Sequence, residues 1–372
     1  MKLRTIATGA AIVVTLGFAG AYLSFPVERI SARAAPISES EMADTLAALK
    51  PPKRARPVVA VLGVNEGSET TDYLIPYGVL KRSGVADVVA LGMHEGPVIL
   101  MPALTIVPDA TVAQFDQRYP DGADYVVVPF FHDWHNAAAE AWLKTQAAKG
   151  ATIVGICAGV LTLADAGLLH GRRATTHWHW TDKLVEIDPT ITYVPNRRYV
   201  ADRGMVTTTG VSASLPVSLA LVEAIAGQEK ALAVAAGLGL PGWDAAHVSA
   251  AFRLTRGDVR TYLTGITGLG AERVGIPLNA GVDEVTLSLV VDAYEQSSGA
   301  HVVTLADGPV VSAQGLRILP DGGAGKITFG HMLAPMSGKP GEAFEGAFAD
   351  ISKRYGEASA GFARLALEYP GN

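Results

Sequence analysis

Residues 155 to 159 read GICAG, and Cys157 at their centre is the only cysteine in 372 residues. A lone thiol forms no intrachain disulfide, so its uses are reactivity or burial as a small hydrophobe. The strand-like run ATIVGI leads into it and the helix-like run AGVLTLADAGLL leaves it. The pattern G-x-C-x-G between strand and helix predicts a nucleophile elbow, a tight bend that needs small neighbours and holds its central side chain above a sheet. The N–H groups and positive dipole end of the following helix are expected to favour thiolate over thiol. The alternative is a structural cysteine. Two histidine-rich stretches, HDWH at 132–135 and HWHW at 177–180, could lie near such a bend. Zinc needs three or four converging ligands, and neither spacing is a zinc motif, so no metal and no cofactor is expected. His132 and Trp178, with Trp134 and Trp180, are read instead as rim residues of a pocket for a small, partly apolar substrate or ligand.

A rigid frame must hold that bend. VVAVLGV (58–64), VADVVALG, ADYVVVPFF and ATIVGI read as buried strands. Between them, TTDYLIPYGVLKRSG reads as an amphipathic helix closed by Gly84, and NAAAEAWLKTQAAKG as a helix ended by Gly150. Strands alternating with helices predict an α/β fold, a doubly wound, flavodoxin-like parallel sheet with its chemistry at the carboxyl ends of the strands.

Charge is unevenly spread. Residues 1–56 hold eight Lys/Arg against four Asp/Glu, leaving 22 against 32 in the remainder. An acidic body is a poor partner for phosphate backbones, so no nucleic-acid partner is expected. Thr5 to Val27 carries no charge and is long enough to cross a bilayer as a helix. It predicts a signal anchor over 1–27, a membrane attachment with the globular part extracytoplasmic, and a cleaved signal ending near ARAAP is the alternative. Residues 28–56, polar and Pro-bounded, read as a solvated linker.

The stretch GATIVGICAGVLTLADAGLLHGRRATTHW, followed by YVADRGMVTTTGVSASLPVSLALVEAIAG, closely resembles the ThiJ/PfpI superfamily within the class I glutamine-amidotransferase-like fold. It is most similar to the branch of isonitrile hydratases and the amidase-like domains of GlxA-type regulators. The resemblance runs from about Val58 to Gly227, and implies a first domain over 57–228. It implies that Cys157 is the elbow nucleophile, that His177 lies near the thiol, and that Asp72, four residues before Pro76, is the acidic residue beside it. A carboxyl there would manage protons. The chain departs from the pattern at Ala158, where PfpI-type proteases carry histidine, and at Phe130 and Phe131, where relatives often carry glycine. The N–H groups of Ala158 and Phe130 are the candidate oxyanion donors.

The remainder, 229–372, lacks the helix-turn-helix domain of GlxA-type regulators. Residues 283–321 instead echo 69–109: Glu69-x-Thr71 recurs as Glu284-x-Thr286, Ser83-Gly84 as Ser298-Gly299, and IVPD as ILPD. The expectation is a second, incomplete domain, a degenerate half-repeat that has Leu287 at the place of Asp72, lacks a cysteine and packs on the first as an intramolecular pseudo-dimer. Function is read as a cysteine-dependent hydrolase or hydratase acting on a small electrophile, the alternative being a non-catalytic small-molecule or redox sensor.

Overall fold

A computed structural model describes residues 22–266, 271–323 and 325–370. The anchor expected over 1–27 lies, for residues 1–21, outside the described residues, and no described helix is long and apolar enough to cross a membrane.

The chain enters through a helix, α1 (Glu39–Ala48), whose N-terminus is capped by the Ser38 hydroxyl. Then come β1 (Val58–Gly63), the short β2 (Ser68–Glu69), α2 (Thr70–Ser83), β3 (Asp87–Gly92), β4 (Val98–Met101), β5 (Leu104–Val107) and β6 (Ala110–Thr111). Next follow α3 (Val112–Arg118), β7 (Tyr125–Val128), α4 (Ala137–Ala148), β8 (Thr152–Gly155), α5 (Gly159–Asp165), β9 (Arg173–Ala174), α6 (Thr181–Ile187) and β10 (Thr192–Tyr193). A hairpin of β11 (Tyr199–Asp202) and β12 (Met205–Thr208) leads into α7 (Ser214–Ala226), α8 (Gln228–Leu238) and α9 (Arg256–Ile266). The last part holds β13 (Glu272–Pro277), α10 (Glu284–Glu295), β14 (Ala300–Leu305), β15 (Val310–Val311), β16 (Arg317–Leu319), β17 (His331–Met332), α11 (Pro340–Tyr355) and α12 (Glu357–Ala366).

The central sheet has seven strands in the order β11-β12-β8-β7-β1-β3-β6 and is parallel except for β11, which pairs antiparallel with β12. Every residue of β1, β7 and β8 is buried, the reason these strands read as continuous apolar runs. The α/β expectation with a mostly parallel sheet therefore holds.

Two expectations need correction. The stretch 28–56 is not a solvated spacer. Leu49 is fully buried, Glu41 pairs with Arg197, and Arg54 pairs with the buried Asp124, so this segment is strapped onto the domain. Nor is α2 amphipathic in its setting: twelve of its fourteen residues are buried. Its second face is covered by α10, which approaches so closely that a Cβ at Gly78 would lie 2.6 Å from a Val285 methyl and 2.8 Å from Glu284 Oε1.

The later part of the chain contributes two small pieces of sheet. β14, β13 and β17 form one, with β13 parallel to β14 around α10. The β15–β16 hairpin instead extends β5-β4-β2, with Ile318 opposite Ile106, Arg317 opposite Val107 and Leu319 opposite Thr105.

Candidate functional site

Strand β8 ends in Gly155, and two residues later the backbone turns through Cys157 at φ 54°. An L-residue adopts that left-handed conformation at a cost of roughly 1–2 kcal/mol. The glycines on either side answer to packing. A Cβ at Gly159 would stand 2.3 Å from the Val128 carbonyl oxygen, and one at Gly155 would stand 2.7 Å from a Leu163 methyl. The bend is pinned on both sides. The Cys157 N–H donates to Thr208 Oγ1 at 3.1 Å, and its carbonyl accepts from Thr176 Oγ1 at 2.9 Å. The elbow read from the sequence is present in backbone form.

Cys157 lies at the wall of a cavity of about 510 Å³, with 7% of its surface exposed. Phe130, Ala158, His177, Trp178 and Trp180 come from the sheet side, while Val259 and Tyr262 of α9 and Phe362 and Leu365 of α12 face them from the C-terminal part. Aromatic and aliphatic groups dominate the lining. Glu69 and Gln296 supply polar atoms.

The electrostatics overturn the expected thiolate. Burial pushes the Cys157 thiol well above its ordinary range, and negative charge at Asp72, Glu69 and Glu368 pushes the same way; the Ala158 N–H offsets this only in part. Helix α5 offers a single favourable dipole end against desolvation by the whole cavity wall. The resting sulfur is a neutral thiol.

Asp72 sits in the first turn of α2, completely buried. Its Oδ2 accepts the Phe130 N–H at 3.1 Å, while Oδ1 has no hydrogen-bond partner among the described residues. Burial raises its carboxyl to about 7. Glu69 caps α2, accepting the Asp72 N–H at 2.5 Å, and is raised to about 8 by burial and then by Asp72. A third carboxyl arrives from α10: Asp292, fully buried, whose Oδ2 lies 3.1 Å from the Thr71 hydroxyl that also reaches Glu69 Oε2 at 2.8 Å. Burial, then the Glu69 charge, push Asp292 well above the usual carboxylate range. The site thus holds three acids that keep their protons to higher pH than free carboxyls do.

The remaining predicted residues divide. His177 and Trp178 line the cavity, but both His177 ring nitrogens are engaged: Nε2 bonds the Ala366 carbonyl at 3.0 Å and Nδ1 accepts the His179 N–H at 3.3 Å. Burial lowers its pKa, so the ring is neutral and not poised as a base toward sulfur. The Phe130 N–H is spent on Asp72, which removes it as an oxyanion donor; the Ala158 N–H faces the sulfur. His132 is exposed and lines a separate cavity of about 280 Å³ with Glu66 and His94, so it is not part of the thiol's surroundings. Among the described residues no three His, Cys, Asp or Glu side chains are grouped to hold a metal ion.

Sequence reading missed Glu69, Asp292 and Glu368. Glu368, in the tail read as packing, is buried at φ 51°, accepts the Gly210 N–H at 2.6 Å and pairs with the buried His247 at 2.9 Å. Only the Glu69-x-Thr71 echo in Glu284-x-Thr286 marked Glu69 beforehand; nothing local marked the other two.

A sequence model of the DJ-1/PfpI family matches residues 58–224. Protein dj-1beta of Drosophila melanogaster is 30% identical over 178 residues, covering 46% of this chain and 91% of that protein. The isonitrile hydratase of Pseudomonas putida is 43% identical over 54 residues, only 14% of this chain and 22% of that protein. Among solved structures, that of Drosophila melanogaster DJ-1beta is 27% identical and covers 50% of this chain and 98% of its own, with a TM-score of 0.45.

Proposed function

The chain belongs to the DJ-1/PfpI family, and from that premise we propose that it is a cysteine-dependent hydrolase or hydratase acting on a small, largely apolar electrophile. The observation that carries this reading is the aromatic-walled cavity of about 510 Å³ with Cys157 and Glu69 in one lining and Asp72 behind them. Because the resting sulfur is a thiol, it must lose its proton as it attacks. A carboxyl held at about 7 is matched to take that proton at neutral pH. The S–C bond forms as Asp72 accepts the proton, and Asp72 returns it to the atom that gains electrons in the adduct. In a hydratase water then adds to the same carbon, the S–C bond breaks and a proton returns to sulfur, so that the net change is substrate plus water; in a hydrolase the proton from Asp72 goes to the leaving group, whose bond to that carbon breaks before water displaces the sulfur. The Ala158 N–H is the donor available to charge developing near the sulfur.

The test is a screen of isonitriles, amides and 2-oxoaldehydes against the full chain beside Cys157→Ser. Turnover that the serine variant loses is the expected result. A serine variant as fast as the parent, or no turnover of any class, overturns the reading. One competing reading is a non-catalytic binding module or redox sensor; the neutral thiol favours the binding module, since oxidation runs through thiolate. Saturable binding without turnover, or a stable gain of two oxygen atoms at Cys157 in mass spectra, would select it.

Two further parts belong to the same proposal. Residues 272–321 are taken as a degenerate repeat of 58–109 that docks as an intrachain pseudo-dimer. In its support, β5 and β16 pair antiparallel through Ile106 and Ile318, the sequence-equivalent residues of IVPD and ILPD, as a local two-fold axis requires. Membrane attachment rests on the uncharged run from Thr5 to Val27 alone, with carbonate extraction of membranes as its test: release of the full chain into the soluble fraction counts against it.

A further inference from the structure

A second cavity, of about 370 Å³, opens between the N-terminal strap, the 246–252 loop and the end of α12. Three arginines line it, Arg29, Arg198 and Arg364, and no acidic residue does, although the whole chain carries a net charge of −6. Two of the arginines are matched from outside the cavity: Arg29 pairs with Asp258 and Arg364 with Glu345. Arg198 is different. Its Nε donates to the Ala246 carbonyl at 2.9 Å, but among the described residues its two Nη groups have no hydrogen-bond partner and the guanidinium makes no ion pair. Two acids act on it through space, Asp244 and then Glu368, but neither bonds it: Asp244 accepts the Ala246 N–H, and Glu368 is held by His247 and the Gly210 N–H. Arg198 is only partly exposed, and burial disfavours its charged form. Taking a cation out of water without a counter-charge is costly, and a planar guanidinium with free Nη groups matches the two oxygens of a carboxylate or phosphate.

Apart from Ser31 and His247, the rest of the wall is mostly apolar. Phe252 stacks flat on the ring of the buried His247 with centroids 5.0 Å apart, and Ile30, Val248 and Tyr369 complete the surface. We propose that this cavity is a binding site for a small amphipathic anion, an aromatic or branched carboxylate or phosphate monoester whose head group pairs with Arg198 and whose body lies against Phe252. It is distinct from the thiol cavity, with which it shares only Leu365 in its lining, and does not depend on whether Cys157 turns anything over.

Calorimetric titration of the full chain with benzoate, phenyl phosphate and neutral benzamide tests this. Binding of at least one anion, weakened by added salt, with benzamide at least tenfold weaker, is the expected result; the stronger of the two anions identifies the head group. Arg198→Gln should weaken the anion at least tenfold and Arg198→Lys less, while Cys157→Ser leaves it unchanged. If Arg198→Gln proves poorly folded by near-ultraviolet dichroism, the Arg198→Lys titration decides, since it must retain salt-sensitive binding. Failure of both anions to bind, equal binding of benzamide, or full affinity in a folded Arg198→Gln variant overturns the proposal.

Discussion

Two regions of this chain run through the same order of elements, β1-α2-β3 with the β4–β5 hairpin and β13-α10-β14 with the β15–β16 hairpin, and only one carries chemistry. Both helices are capped by an acidic side chain, Glu69 on the Asp72 N–H and Asp283 on the Thr286 N–H. Both are almost wholly buried, against each other and against a second helix each, α7 for α2 and α11 for α10. They part in the first turn: aligning Glu69-x-Thr71 with Glu284-x-Thr286 sets the fully buried Leu287 against Asp72, and counting from the two capping residues sets Thr286 there, bonded to Asp283, so neither count gives α10 a carboxyl at that place. What differs is therefore neither the frame nor its tolerance for buried acids, since α10 buries Glu284 and Asp292, but where along the helix the acid stands. In α2 a carboxyl in the first turn is supported by the Phe130 N–H and acts on the thiol; in α10 the first turn offers Thr286, spent on its own cap, and the hydrocarbon of Leu287. The second region still reaches the site, through Asp292 and Gln296.

The contrast is broken most directly at sulfur. Cys157→Ser should reduce turnover to background, and residual activity would place the chemistry elsewhere. Asp72→Asn follows, expected to slow turnover by about 10²–10⁴ while leaving substrate binding intact; an unchanged rate would leave Asp72 no more functional than Leu287. Leu287→Asp should cost about 3 kcal/mol or more by urea denaturation, since it puts a carboxyl where a fully buried hydrocarbon side chain packs. Gly78→Ala should cost about 1–3 kcal/mol by wedging α2 from α10. An unaltered midpoint would mean that the two regions are loosely docked.

The smallest effect is a pH dependence. Asp72 and Glu69 are raised to about 7 and about 8 in the folded chain, against about 4 when unfolded. The folded state binds these protons more tightly, so the stability they contribute is complete below about pH 4 and is lost as pH rises through 7 and 8. Asp72→Asn should flatten that decline; an identical slope would show that the acid is not held protonated. Alkylation of Cys157 should likewise stay slow at pH 8 and quicken only at higher pH, the opposite of a preformed thiolate.

Much of the frame was legible in the sequence because its signals are local. VVAVLG and YVVV read as buried parallel strands since both faces of such strands are covered. Gly84 at φ 69° ends α2, as its position after the helix-like GVLKRS and before a strand-forming run predicts. The elbow was legible because its two glycines answer to contacts within a few residues or with the adjoining strand. The environment was not. Nothing near Cys157 announces that its thiol would be neutral, nothing near Phe130 that its N–H would be taken by Asp72, and nothing near Trp178 that its indole would bond the Leu365 carbonyl.

By itself the sequence determined the order of strands and helices, the bend at Cys157 and the side chains able to do chemistry there. Only the tertiary structure decided their protonation, which hydrogen bonds remained free, and that segments more than 100 residues downstream of Cys157 would roof the cavity and bring a third carboxyl to it. The reason is physical: backbone conformation is set largely by neighbours a few residues away, whereas solvation and charge at an atom depend on everything within several ångströms, whichever part of the chain supplies it.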